Sequence, residues 1–281
     1  MSHPIADPFV EGADVSPGSD LVRIEATAAG AVTVVMNRPQ KKNALSPELV
    51  SALHEAFRTL AGAEGVRVVF LRGAGGAFTS GGDVEAMRRS LDMAEEEVRE
   101  DLLAMGMMIK AWHDLPQLTV ALIDGPAFGG GAGLPAAADL AIATAHSRFS
   151  FSEVKLGIIP GVIAPFVVQA IGPRRARGLF ATGRVFDAAE AHRIGLIDEV
   201  AADAVALKAA ADAIARDIIA CAPGAIAEAK RLADHVHGRE IDHRVLEDAA
   251  RRNAAARLAE EGQAGIRAFL ERGRPPWVEE A

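Results

Sequence analysis

The sequence predicts an α/β layered fold with a helical C-terminal third. Three observations predict it. Two apolar runs, residues 66–71 and 119–123, read as strands buried on both faces, as in a parallel sheet. Each opens into a glycine-rich turn followed by a helical pattern, the alternation that builds layered α/β domains. From Asp203 onward the composition changes to Ala-rich helices with balanced charge.

The bulk properties limit the function. A chain of 281 residues, half of them apolar, can bury one large core. The net charge of −8 argues against a general nucleic-acid binder. A single cysteine, Cys221, excludes an internal disulfide and fits a reducing, cytoplasmic setting. The acidic, proline-containing start is no secretory signal, and Asp124, Pro126, Pro135 and Asp139 interrupt the longest apolar stretch, so no membrane span is expected.

In chain order, residues 1–19 read as a mobile leader. Residues 21–27 and 31–37 alternate as two strands with a turn at Ala29-Gly30. A polar loop, 37–45, follows. Ser46 caps the next helix, with Pro47 in its first turn and Leu49, Leu53, Ala56 and Leu60 as its apolar stripe. After the strand at 66–71 comes RGAGGAFTSGGD, where Asp83 caps a helix or holds the turn and Gly82 can present its N–H. Alone, this is an ordinary strand-to-helix loop. Residues 92–113 form a helix with Leu102, Leu103, Met107 and Ile109 facing inward, and Met105, Met107 and Met108 filling core gaps.

Residues 119–157 organise the rest. A strand, 119–123, breaks at Asp124-Gly125-Pro126 and reaches Gly129-Gly130-Gly131; a small-residue helix, 132–138, and a strand, 140–143, follow. A glycine-rich helix start leaves backbone N–H groups unpaired, which stabilises negative charge on an approaching oxygen. Taken alone, a triple glycine reads first as a tight turn. It is neither a dinucleotide fingerprint nor a P-loop, lacking both spacings. Glu153 follows among Phe149, Phe151, Val154 and Leu156.

Further on, residues 164–171 form a helix ended by Gly172-Pro173, and Arg174, Arg175 and Arg177 make a basic cluster, read as a solvated face or an anion site. Asp187 starts a short helix, 195–200 is a strand, and helices span 203–220, 223–237, 240–259 and 261–272. The expected domains are a core at 20–200 holding the active site and a helical subdomain at 201–281. No G-x-S-x-G elbow or nearby cysteine offers a nucleophile. The histidine group at His235, His237 and His243 lacks ligand spacing, so no metal is expected. What remains is proton transfer on a carbonyl substrate, with Glu153 as acid or base.

Taken together, Asn37-Arg38-Pro39, Lys42-Asn43-Ala44-Leu45, Phe78-Thr79-Ser80-Gly81-Gly82-Asp83, the run Gly125 through Gly131, Asp139, Phe149-Ser150-Phe151-Ser152-Glu153, Leu156-Gly157-Ile158-Ile159-Pro160 and Phe269-Leu270-Glu271-Arg272 resemble the enoyl-CoA hydratase/isomerase (crotonase) superfamily. FSEVKLGIIP with the following IAPFVV is most similar to the methylglutaconyl-CoA or branched-chain enoyl-CoA hydratase subgroup. The resemblance implies a crotonase, ClpP-like spiral of ββα turns, with the C-terminal helices making a homotrimer or dimer of trimers. It implies Gly82 and Gly130 as the amides that hold a thioester oxygen, and Glu153 as the proton carrier. It places coenzyme A, as part of an acyl-CoA substrate rather than a separate cofactor, along Lys42, Asn43, Ala44, Leu45, Ser80, Gly81 and Asp83, with Phe269, Arg272 and Arg274 near its outer end. The position of the family's first glutamate is Gly133 here. The expected reaction is therefore hydration of a 2-enoyl-CoA, with Δ3,Δ2-enoyl-CoA isomerisation or non-catalytic acyl-CoA binding as alternatives. Two further departures bear on substrate: Glu85-Ala86 stands where the subgroup carries a bulky aromatic, and Phe166 where it carries tyrosine. Glu85 and Ser152 are candidates to assist water or plain structural residues.

Overall fold

A computed structural model describes residues 13–14, 20–26 and 30–278. The chain runs through β1 (Ala13–Asp14), β2 (Val22–Ala26), β3 (Ala31–Met36), α1 (Pro47–Ala61), β4 (Val68–Gly73), α2 (Val84–Arg89), α3 (Glu95–His113), β5 (Leu118–Ile123) and β6 (Pro126–Phe128). It continues through α4 (Gly133–Ala137), β7 (Leu140–Thr144), β8 (Arg148–Ser150), α5 (Ala164–Ile171), α6 (Pro173–Thr182), β9 (Phe186–Asp187), α7 (Ala188–Ile194) and β10 (Glu199–Ala201). Four helices close it: α8 (Ala204–Ile218), α9 (Pro223–Val236), α10 (His243–Leu258) and α11 (Glu260–Leu270).

One sheet has the order β1-β2-β3-β4-β5-β7-β10, parallel from β3 to β10. The apolar runs at β4 and β5 sit at its centre and are buried almost throughout, as strands covered on both faces must be. Ser46 caps α1 through Leu49 N, and the predicted stripe of α1 faces the core. Of the expected leader, only Ala13 and Asp14 are described; they join the sheet, opposite Ala26 and Glu25. The remainder of residues 1–19, and Ala29 of the expected turn, lie outside the described residues.

The sheet's two faces bury different clusters. Val34, Val69, Leu71, Ala121, Ile123, Phe57, Trp112 and their neighbours fill one side. Phe70, Val120, Leu122 and Ile142 pack on the other against Leu207 and Ala211 of α8. Through this cluster α8 packs directly on the sheet. On α9, Lys230 donates to the carbonyls of Leu115 and Gln117, each at 2.7 Å, and pairs with Asp139 at 2.6 Å. The Glu261 carboxylate on α11 accepts from Gly224 N and Ala225 N at the start of α9. No helix among the described residues is long and apolar enough to cross a membrane.

A second, small sheet, β6-β8-β9, is absent from the sequence reading. Its strands are two or three residues long, too short to show a period. It also determines where the functional residues meet.

Candidate active site

Three chain segments run parallel into one place. β6 pairs with β8, Ala127 opposite Phe149 and Phe128 opposite Ser150. The loop after β4 joins them through a parallel bridge between Thr79 and Ala127, with Thr79 N donating to Pro126 O at 2.9 Å. Counting three residues forward from that register brings Gly82, Gly130 and Ser152 to the same edge, with Glu153 next. The carboxyl ends of parallel strands are where open α/β sheets bind ligands.

Glycine is needed along this edge for two different reasons. At Gly81 (φ 95°) a β-carbon would stand 2.7 Å from Phe128 O, and at Gly131 one would stand 2.1 Å from Thr79 Cγ2. Gly81 lets the two loops touch backbone to backbone, and Gly131 makes room for the Thr79 side chain. At Gly82 and Gly130 the backbone does not adopt a positive φ, and a β-carbon would meet only flexible thioethers: Met87 Cε at 2.6 Å and Met105 Sδ at 3.0 Å. Glycine there keeps a path to the amide open. Among the described residues, neither amide donates to a backbone acceptor.

Glu153 opens a 3-10 turn, Glu153–Leu156, closed by Gly157 in the left-handed region (φ 76°). A β-carbon on Gly129 would lie 3.5 Å from Glu153 Oε1, so the carboxylate borders the glycine pair. Oε2 is buried and has no hydrogen-bond partner among the described residues. Beneath this turn lie Phe149, Phe151, Phe180 and Phe186, with Phe151 and Phe180 edge to face at 5.2 Å. Burial pushes the Glu153 carboxyl above the usual glutamate range, only partly offset by a hydrogen bond to its own backbone amide. Such a group holds a proton more readily than an exposed glutamate.

The structure assigns other tasks to some residues expected along a ligand. Segments 42–45 and 80–82 do run together: Ser80 N donates to Lys42 O at 2.9 Å and Leu45 N to Gly81 O at 2.8 Å. Asn43, however, is fully buried; its Nδ2 donates to Ala74 O and Ala77 O, and its Oδ1 accepts from Arg38 N. The Leu45 side chain is in the core. Asp83 caps α2 through Glu85 N and Ala86 N and pairs with Arg38 at 2.5 Å. Burial opposes ionisation of Asp83, but the Arg38 bond and the two amides outweigh it and hold its carboxyl below the usual range. These side chains fix the shape of the loops from within. Phe269, 82 % exposed, and Arg272 lie at the end of α11, which packs on α10.

Several helical expectations are also corrected. Leu102, Leu103 and Met107 of α3 are exposed, while Met108, Ile109 and Trp112 are buried. The buried stretch of α3 lies in its C-terminal turns, at Met108, Ile109 and Trp112, beyond Leu102 and Leu103. Glu85 pairs with Lys41 at 3.0 Å on the surface. Arg174 and Arg175 rim a cleft of about 640 Å³ between α6 and α7, where Arg184 and Arg193 hold Glu190. Met87, Met105, Ile109 and Ile163 wall the glycine edge, a role the sequence analysis assigns to none of them. Their signal was present only as apolar residues spaced for helix packing.

The chain is similar to proteins of one family. The enoyl-CoA hydratase ACTT6 of Alternaria alternata is 34% identical over 218 residues, covering 76% of this chain and 70% of its own. The crystal structure of an enoyl-CoA hydratase from Shewanella pealeana superposes with a TM-score of 0.88 at 32% identity, over 92% of this chain and 96% of that one. An enoyl-CoA hydratase/isomerase from Marinobacter aquaeolei gives 0.87 at 34% identity, over 93% and 100%. The family model described as enoyl-CoA hydratase/isomerase matches residues 26–280. With a match across nearly its whole length and the same fold, the chain belongs to the enoyl-CoA hydratase/isomerase family.

Proposed function

We propose that the protein hydrates a 2-enoyl-CoA thioester with one carboxylate as its proton carrier. The observation that supports this most is the half-buried Glu153, with one oxygen unpartnered, bordering two glycine amides that have no backbone acceptor. The thioester oxygen accepts from Gly82 N–H and Gly130 N–H, which withdraws charge from the conjugated double bond. Ionised Glu153 takes a proton from water as the water oxygen bonds to the β-carbon. The electron pair moves to the thioester oxygen as an enolate, held by the same amides. Glu153 then returns the proton to the α-carbon, and H and OH have been added. The coenzyme A portion lies along Lys42, Ala44, Ser80 and Gly81; no separate cofactor is needed.

The acyl group is of the short or branched type that the subgroup resemblance suggests, including a methylglutaconyl-like group. A homotrimer or dimer of trimers would cover Leu246, Leu258, Phe269 and Leu270, which are exposed on α10 and α11. The lone cysteine supports a cytoplasmic setting.

One observation favours a second reading. The place of a second carboxylate, at Gly133, is filled by Ile163 and Ile109, and moving a double bond between C3 and C2 needs only one carrier. The test is a side-by-side assay of 2-enoyl and 3-enoyl thioesters by enone absorbance. Loss of absorbance with the 2-enoyl series supports hydration; a gain with the 3-enoyl series alone replaces it by isomerisation. Tight binding of both without any product would leave an acyl-CoA-binding protein.

A further inference from the structure

We infer that Met105 determines which acyl chains the site accepts, an inference that rests on Gly82 and Gly130 receiving the thioester oxygen. Met105 Sδ stands 3.0 Å from where a β-carbon of Gly130 would be. An acyl chain leaving a carbonyl held at that amide must pass this thioether within its first few carbons. From there the wall is apolar and continuous. Ile109, one turn beyond Met105 on the same face of α3, comes within 3.4 Å of a Gly133 β-carbon, and Ile163 closes from the other side. Val162 lies 3.6 Å from a β-carbon on Gly106.

The members of this wall differ in freedom. Ile109 and Ile163 are buried and close-packed, so they cannot give way without disturbing the core. Met105 and Val162 are only half-buried, and of the two Met105 is unbranched and flexible, so it can be displaced or exchanged with the least disturbance of the core. One turn earlier on the same face, Leu102 remains 47 % exposed. A chain extending past position 105 would meet Leu102 as an apolar floor. With methionine in place that path is shut, so the native site favours short or branched acyl groups over long straight ones.

The experiment compares wild type, Met105→Ala and Met105→Phe on crotonyl-, 3-methylcrotonyl-, 2-hexenoyl- and 2-octenoyl-CoA. Calorimetric binding of saturated butanoyl- and octanoyl-CoA is measured in parallel. Met105→Ala should raise kcat/KM for octenoyl relative to crotonyl by about tenfold or more, the scale of added room in an apolar pocket, chiefly through KM. Met105→Phe should shift the ranking the other way. An unchanged chain-length ranking in both variants, with acyl-CoA binding intact, overturns the role of Met105 alone. Failure of wild type to bind either saturated thioester overturns the reading of the site and this inference with it.

Discussion

A β-carbon on Gly133 would lie 2.4 Å from Ile163 Cγ2 and 2.8 Å from Ile163 Cβ, so isoleucine occupies the space a side chain at position 133 would need. Both residues are buried, and neither neighbour is a flexible tip that could swing aside. Gly133→Glu alone should therefore lower Tm, by overpacking worth ~1–3 kcal/mol together with a buried charge, and should not improve turnover. Gly133→Glu combined with Ile163→Gly makes room for a second carboxylate facing the glycine edge. In that double variant hydration of a 2-enoyl-CoA should recover and rise relative to 3-enoyl isomerisation, by about 10²-fold at best for an added general base. Equal Tm for the single variant and wild type would show that the space is open after all.

The Glu153 carboxyl is raised above its ordinary value of 4.5 by burial. As a base it works ionised, so kcat/KM should rise with pH through an acid limb whose midpoint lies above 4.5. Glu153→Gln should lower turnover at least ~10²-fold and leave the residue of activity without that limb. A pH–rate series on both proteins tests this; an unaltered limb in the variant assigns the titration to another group.

The same shift makes a statement about stability. A carboxyl whose folded pKa exceeds its unfolded one helps folding below the unfolded value and loses that help as pH rises through the folded value. At neutral pH the ionised Glu153 side chain therefore works against the fold. Glu153→Gln should melt above wild type at pH 7, with the advantage shrinking as pH falls toward and below 4.5, measured by thermal melts across that range. A variant melting below wild type at pH 7 would mean that the carboxylate is stabilised by a contact the fold does not otherwise reveal.

How far the sequence foretold this site depends on the length of the signal. β4, β5 and α1 are long enough for their periods and caps to be read; β5 and α1 lie where the pattern puts them to within a residue, and β4 runs two residues later than the expected 66–71. Gly82, Gly130 and Glu153 were legible as residue types following strand and turn patterns. Their meeting followed from the family resemblance and not from the local pattern, because it depends on β6 and β8, three residues each, whose pairing is a tertiary fact. Asn43 and Asp83 were assigned to the ligand because they sit inside the motif, yet their side chains hold the loops from within. A polar residue in a turn reads alike in sequence whether it faces outward or binds its own backbone. Leu102 failed for another reason: a helix stripe tells which side is apolar and not where along its length the core ends.

Gly82 offers the most direct separation of donor from packing. A β-carbon there meets only Met87 Cε, at 2.6 Å, and Met87 is itself 39 % exposed, so the thioether tip can move aside. Gly82→Ala keeps the N–H and should fold as wild type does, with Met87 shifted. Gly82→Pro removes the N–H while also restricting the backbone, so its Tm must be measured beside its turnover. If the amide holds the developing oxyanion, the proline variant should lose ~3 kcal/mol of transition-state stabilisation, about 10²-fold in turnover, relative to the alanine variant. Binding of a saturated acyl-CoA should weaken far less, because the charge on that oxygen develops only during reaction. Equal turnover in folded alanine and proline variants would remove Gly82 from the oxyanion site and leave the Met87 side of the edge as packing alone.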